Sequence, residues 1–386
     1  MANELSSLTP QLLEDFDIVT FDPRGVGQSD PVACTQAPGE AADNAEPAPS
    51  TPDQVKSVMT GYRQFAADCE RTVPTLLAHV GTVDVARDMD QLRQALGDAT
   101  LTYMGQSYGT LLGLTYAQLF PTHVRAMALD GVIDPALSFD QMTAQQATGF
   151  EASLSSFFAW CAGTPSCPWH WTGDPTAALL GQLASASTHP TPAGGGQVAD
   201  AGALYDALLD GMYARNDWPR LAQALAADVA GNGAPVVSMS SHYQQGGSTN
   251  GQVASIAIDC LDHPVSRNVG AFGALSDSLH VSAPVFGPLL AWGEAVCAVW
   301  PAPPTRKVGP VTAAGAPPIL VIGTTQDPAT PYAWAVNVSH ELARSALLTV
   351  DGDNHVAYFY SGCVRADVQA YLVGGVTPAP GATCSS

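Results

Sequence analysis

Positive charge is scarce in this 386-residue sequence: 14 Lys and Arg stand against 35 Asp and Glu, for a net charge of −21. Such a surface repels phosphate backbones and anionic membranes, so nucleic acid is not expected as a partner. No apolar run reaches the length of a bilayer span. There is no Cys-x-x-Cys pair and no His at zinc-finger spacing, which argues against a metal, and nothing points to a cofactor. Gly25-Val26-Gly27-Gln28-Ser29-Asp30 lacks the third glycine and the helix of a dinucleotide loop. Asp351-Gly352-Asp353-Asn354 lacks the spacing and distal Glu of a calcium loop. The opening Met1-Ala2-Asn3-Glu4-Leu5 has neither the basic stretch nor the apolar core of an export signal.

Hydrophobic residues make up 46% of the chain and charged ones only 13%, enough for a full core and an inserted subdomain. Eight cysteines (Cys34, Cys69, Cys161, Cys167, Cys260, Cys297, Cys363 and Cys384) spread over the whole length. The even number suits disulfides in an oxidising compartment, although reduced core thiols would have the same composition and spacing cannot choose a pairing.

Residues 17–21, Asp-Ile-Val-Thr-Phe, read as a short buried strand before a turn-rich segment, followed by a loop over about 36–53 and a helix near 54–69. Thr82 is placed to cap a helix with Val85, Met89, Leu92 and Leu96 on one face, ended by Gly97. A strand is expected at 101–104, a helix at 107–120 closed by Pro121, and a strand at 124–129. This alternation is the pattern of a parallel α/β sheet. From about 140 to 300 the chain turns Ala-rich and helical, broken by flexible runs at 193–196 and 245–248. The expected organisation is a first core part over 1–139, a helical cap over 140–304, and the rest of the core over 305–386. That last part carries strands at 319–322 and 346–350 and a helix at 363–373.

The chemistry concentrates on three residues. Gly105-Gln106-Ser107-Tyr108-Gly109 is a G-x-S-x-G sequence between a strand and a helix, which forces the serine into a sharp, strained turn. Ser107 is then a nucleophile candidate, with the Tyr108 amide at the helix N-terminus as an oxyanion donor. A serine nucleophile needs a base, and the base an orienting acid, here expected after it in the order acid, then His. Asp327 and His355 follow the ends of the strands at 319–322 and 346–350, where ligands meet open α/β sheets. Thr330 and Pro331 would open the helix between them as N-cap and N1. Asp134, after the 124–129 strand, is a rival acid, and the other histidines, such as His123 and His189, lack the strand-end position.

With these residues the chain resembles the secreted bacterial tripeptidyl-aminopeptidase-like peptidases, relatives of prolyl aminopeptidase. The resemblance covers 16–29, Ala86-Arg87-Asp88-Met89-Asp90-Gln91-Leu92-Arg93, Gly105-Gln106-Ser107-Tyr108-Gly109-Thr110 and Leu129-Asp130-Gly131-Val132. Trp218-Pro219-Arg220-Leu221-Ala222 fits within the looser cap, and Asp327-Pro328-Ala329-Thr330-Pro331, His355 and 371–384 complete it. It implies an α/β-hydrolase fold (mostly parallel sheet, helices on both faces) with a helical cap, and a secreted or cell-envelope serine exopeptidase acting on peptide N-termini. It also implies disulfides in chain order: Cys34–Cys69, Cys161–Cys167, Cys260–Cys297 and Cys363–Cys384. Asp353-Asn354-His355 departs from the family's usual glycine before the histidine. The family's early strands and its Gly-Gly-Pro-Gly-type oxyanion loop have no counterpart here, so the natural protein is expected to extend upstream of Met1. Recognition of a free α-amine calls for acidic groups, for which Asp259, Asp262 and Glu151 are candidates. A carboxylesterase with the same triad, or an inactive hydrolase fold that only binds, are the competing readings.

Overall fold

A computed structural model describes residues 8–34, 46–245 and 250–386. In chain order the helices and strands begin with α1 (Pro10–Asp15), α2 (Pro52–Thr72), α3 (Thr82–Ala95), β1 (Leu101–Gln106), α4 (Tyr108–Leu119) and β2 (Val124–Asp130). There follow α5 (Phe139–Gly163), α6 (Pro175–Thr188), β3 (Thr191–Gly194), β4 (Gln197–Ala199), α7 (Ala201–Met212), α8 (Trp218–Val229) and α9 (Ala234–Gln245). Then come α10 (Gly251–Asp262), α11 (Gly270–Leu279), α12 (Phe286–Gly293), β5 (Ile319–Thr324), α13 (Tyr332–Glu341), β6 (Ser345–Asp351), α14 (Gly362–Gly374) and β7 (Thr383–Ser385). Two compact units result, one of residues 1–24, 80–138 and 305–386, the other of 25–79 and 139–304.

The first unit is a sheet in the order β1-β2-β5-β6-β7 with every neighbouring pair parallel. Alternate side chains leave each strand on opposite faces. Met127, Leu129, Ile319 and Val321 pack with Val85 and Met89 of α3, Leu112 and Leu114 of α4, and Ala335 and Val338 of α13. Their neighbours Ala126, Ala128, Leu320, Ile322, Leu348 and Val350 pack with Leu12 of α1 and Val364, Val368 and Tyr371 of α14. Both faces are thus covered, as an all-parallel sheet requires. Two segments of the sequence resemblance meet here, since the Arg24 guanidinium donates to both Asp88 carboxylate oxygens.

The second unit is mainly helical. Its turn at Gly25 and Gly27, both at positive φ, is stitched by Asn250, which accepts from the Gly27 amide at 2.9 Å and donates to the Gly25 carbonyl at 2.8 Å. All four disulfides pair as the resemblance implies, Cys34–Cys69, Cys161–Cys167, Cys260–Cys297 and Cys363–Cys384. No helix among the described residues is long and apolar enough to cross a membrane.

Several local expectations are corrected. Residues 17–21 form no strand; Ile18 and Val19 stay 40% and 57% exposed, because among the described residues no segment offers them a ladder partner. Thr82 is the first residue of α3 with Gly81 in the capping position, and Leu92 and Leu96 face outward while Val85 and Met89 are buried. Pro331, not Thr330, sits at the cap of α13. The run at 193–196 takes in the end of β3 and the two-residue turn, 195–196, that leads antiparallel into β4. Residues 246–249, and 35–45 of the expected loop, lie outside the described residues.

Candidate active site

Ser107 leaves the end of β1 and caps α4 with φ 50° and ψ −123°. Positive φ strains a non-glycine residue by roughly 1–2 kcal/mol, so the surroundings must hold it. They do: the Ser107 amide donates to the Asp130 carbonyl at 3.0 Å, and its own carbonyl accepts from the Thr110 amide at 2.8 Å and the Thr110 hydroxyl at 2.6 Å. Thr110 Oγ1 in turn accepts from the Ile133 amide at 3.0 Å. Gly105 is dictated by contact, since a Cβ there would lie 2.5 Å from the Gly109 carbonyl oxygen and 2.6 Å from the Tyr103 ring. Tyr108, the first residue of α4, is held through a 2.6 Å hydrogen bond between its hydroxyl and Thr82.

Asp327 and His355 come together. His355 Nδ1 lies 3.0 Å from both Asp327 oxygens, with both residues buried. A carboxylate only accepts, so Nδ1 carries the proton and Nε2 is left as the basic nitrogen. Asp327 Oδ1 also accepts from the Ala329 and Thr330 amides at 2.9 and 2.8 Å, and Oδ2 from the Thr330 hydroxyl at 2.9 Å and the Val356 amide at 3.3 Å. The turn after β5 thereby locks the carboxylate before it meets the imidazole. Burial pushes the His355 pKa down, but the Asp327 and Asp130 charges outweigh it and the net shift is upward.

The peptide after His355 is unusual. Val356 has φ 59°, a conformation that a β-branched residue rarely adopts. The following amides donate to Asp130 at the end of β2: Ala357 to both oxygens at 3.0 and 2.9 Å, Tyr358 to Oδ2 at 2.8 Å. Asp130 is only 1% exposed, and burial pushes its carboxyl up to about 6 against the pull of those donors. Beside it Gly131 runs at φ 67°, where a Cβ would lie 3.3 Å from His355 Cε1. The Ser107 and His355 turns therefore both rest on the segment Asp130-Gly131.

Asp134 is otherwise occupied: Oδ1 accepts from the Ala136 amide at 2.9 Å and Oδ2 from Asn337 at 3.3 Å. In the second unit Glu151 accepts from the Val285 and Phe286 amides, both at 3.3 Å, at the start of α12. Asp259 and the fully buried Asp262 belong to α10. Burial raises the Asp259 carboxyl well above its usual range, reinforced by the charges of Glu294 and Asp262, and burial raises Glu294 likewise. The Cys260–Cys297 bridge joins the last turn of α10 to the 3-10 turn Glu294–Val299, so it staples the elements carrying this acidic group.

Sequence reasoning missed Asp130, Glu294 and the Thr330 hydroxyl as parts of these clusters. Only Asp130 left a signal, an acid that ends an apolar strand directly before a glycine. Glu294 gave none, because its neighbours come from a distant helix.

Residues 283–384 match the model of a family described as TAP-like protein, Abhydrolase_4. The chain is 34% identical over 400 residues to serine protease Hip1 of Mycobacterium tuberculosis, covering 98% of this chain and 76% of that protein. It is 36% identical over 391 residues to carboxylesterase B of the same species, covering 97% and 74%. It is 31% identical over 383 residues to tripeptidyl aminopeptidase of Streptomyces lividans, covering 96% and 70%. The parallel sheet, the strained strand-to-helix serine and these similarities converge: the chain belongs to the TAP-like family of α/β-hydrolase-fold serine hydrolases, with serine protease Hip1 and tripeptidyl aminopeptidase.

Proposed function

We propose that Ser107, His355 and Asp327 are the catalytic triad of a secreted exopeptidase that releases short peptides or single residues from peptide N-termini. The observation that carries the reading is the 3.0 Å approach of His355 Nδ1 to both oxygens of a pre-locked Asp327. It leaves the imidazole able to take a proton only through Nε2. His355 takes the Ser107 proton as Oγ attacks the scissile carbonyl, and the imidazolium formed is stabilised by Asp327. The oxyanion is met by the Tyr108 amide at the start of α4. His355 then returns the proton to the leaving amine, and water repeats the sequence on the acyl-enzyme. A free α-amine requires an acidic counterpart where the substrate N-terminus lies. Four disulfides support an oxidising, extracytoplasmic location.

The test is labelling with a fluorophosphonate, mapped by mass spectrometry, followed by hydrolysis of paired free and N-acetylated peptides. An adduct on Ser107, lost in Ser107→Ala, with preference for the free amine, is the expected result. The 36% identity to a carboxylesterase favours a second reading. Equal rates on free and blocked substrates, with faster turnover of short acyl esters, would establish it instead. No adduct on folded protein overturns the triad.

A further inference from the structure

We propose that Asp130 is a positioning residue of this hydrolase, whose ionised carboxylate clamps the strained backbone after His355 and so holds the imidazole in its working place. The inference rests on the triad reading and adds to it a second acid, at the end of a different strand. Asp327 grips the imidazole itself and the Val356 amide, while Asp130 grips the next two amides, Ala357 and Tyr358, at 2.8–3.0 Å. Three consecutive N–H groups thus point at two buried carboxylates, with Val356 at φ 59° between them. That conformation is costly for a β-branched residue, and left alone the turn would relax toward negative φ. A relaxed turn would rotate the peptide following His355 and displace the imidazole that it carries. Charge-assisted bonds from a buried anion are the stronger kind, which suits them to oppose that strain. The far side of the turn is pinned as well, because Arg365 donates to the Tyr358 and Phe359 carbonyls at 3.0 and 3.1 Å.

No simpler role accounts for this carboxylate. A buried acid ending a core strand is expensive unless its oxygens are satisfied, and here, among the described residues, its side-chain hydrogen-bond donors lie in the histidine turn. A neutral apolar residue would complete β2 equally well but would leave the Ala357 and Tyr358 amides without an acceptor. The groups that face Asp130 electrostatically are Asp327, which disfavours its ionisation, and His355, which favours it; Arg365 lies beyond the turn, on the carbonyl of Tyr358. The two titrations are therefore linked. The Asp130 charge favours the imidazolium, and loss of that charge also weakens the clamp.

The experiment compares Asp130→Asn with the wild type by the pH dependence of Ser107 phosphonylation and of kcat and KM. Asn keeps size and one acceptor but removes the charge. The expected result is a kcat lower by roughly ten- to a hundredfold with KM little changed, the loss of about one to two strong hydrogen bonds. The acid limb should also move to lower pH, because His355 no longer feels the Asp130 charge. A role confined to core packing would leave that limb in place. Wild-type rate and an unmoved acid limb in folded Asp130→Asn overturn the proposal, whereas absence of Ser107 labelling in the wild type overturns the triad reading. If Asp130→Asn does not fold, the wild-type chain decides through hydrogen exchange of the peptide spanning 355–360. After correction for intrinsic rates, protection should fall as pH is lowered from 7.5 to 5, and unchanged protection refutes the clamp.

Discussion

The sharpest perturbation of the proposed mechanism is Asp327→Asn. In the native site Asp327 receives, among the described residues, five donors: His355 Nδ1, the amides of Ala329, Thr330 and Val356, and the Thr330 hydroxyl. An asparagine oxygen in place of Oδ1 keeps the Ala329 and Thr330 amides, so the turn after β5 survives. Its NH2 then replaces Oδ2, opposite the Val356 amide and the imidazole, where two donors would face each other. His355 relieves the conflict by turning Nδ1 into an acceptor, which moves the proton to Nε2 and removes the base. The expected loss is about 10⁴-fold in acylation rate, with folding retained. The assay is the second-order rate of fluorophosphonate labelling at Ser107 as a function of pH. The sign of the pH effect follows from the charges. In the wild type the two carboxylates outweigh burial and raise the His355 pKa, so activity is lost as pH falls through that raised value. Without the Asp327 charge the pKa drops and the residual activity extends to lower pH. A variant within tenfold of the wild-type rate, with an unmoved acid limb, refutes the assignment of Asp327.

Three further outcomes are expected. Gly131→Ala places a methyl 2.9 Å from Val356 Cγ1 and 3.3 Å from His355 Cε1 on a left-handed backbone, so labelling should slow by roughly a hundredfold, as a displacement of about 1 Å costs. Thr330→Val removes the 2.9 Å hydroxyl donor to Asp327 Oδ2 and should slow acylation about tenfold, measured as kcat/KM on one peptide. Replacing Cys260 and Cys297 by Ala opens a bridge spanning 37 residues. The loss should approach 4 kcal/mol in the chain-entropy account, read as a lower denaturation midpoint.

Strands 101–106, 124–130, 319–324 and 345–351 were readable because a doubly covered parallel strand is a short apolar run bounded by turn residues. Ser107 was readable because G-x-S-x-G between strand and helix constrains the backbone through contacts only a few residues apart. The strand expected at 17–21 failed for the opposite reason: a strand exists only with a partner, and apolar content within one segment cannot supply it. Leu92 and Leu96 failed similarly, since a periodic apolar stripe shows which residues share a face without showing how far the neighbouring layer extends.

Local covalent order and side-chain size, then, determine the alternating α/β pattern, the serine turn and the acid-then-histidine order after it, all set within stretches of a few residues. Tertiary structure alone decides which acid meets His355, that Thr330 serves Asp327 instead of capping a helix, and that Asp130 anchors the turn beyond the histidine. It also brings Asp259 and Glu294 together across a disulfide. These are contacts between segments far apart in the chain, and a hydrogen bond's geometry is settled only when the packed sheet has fixed where both ends stand.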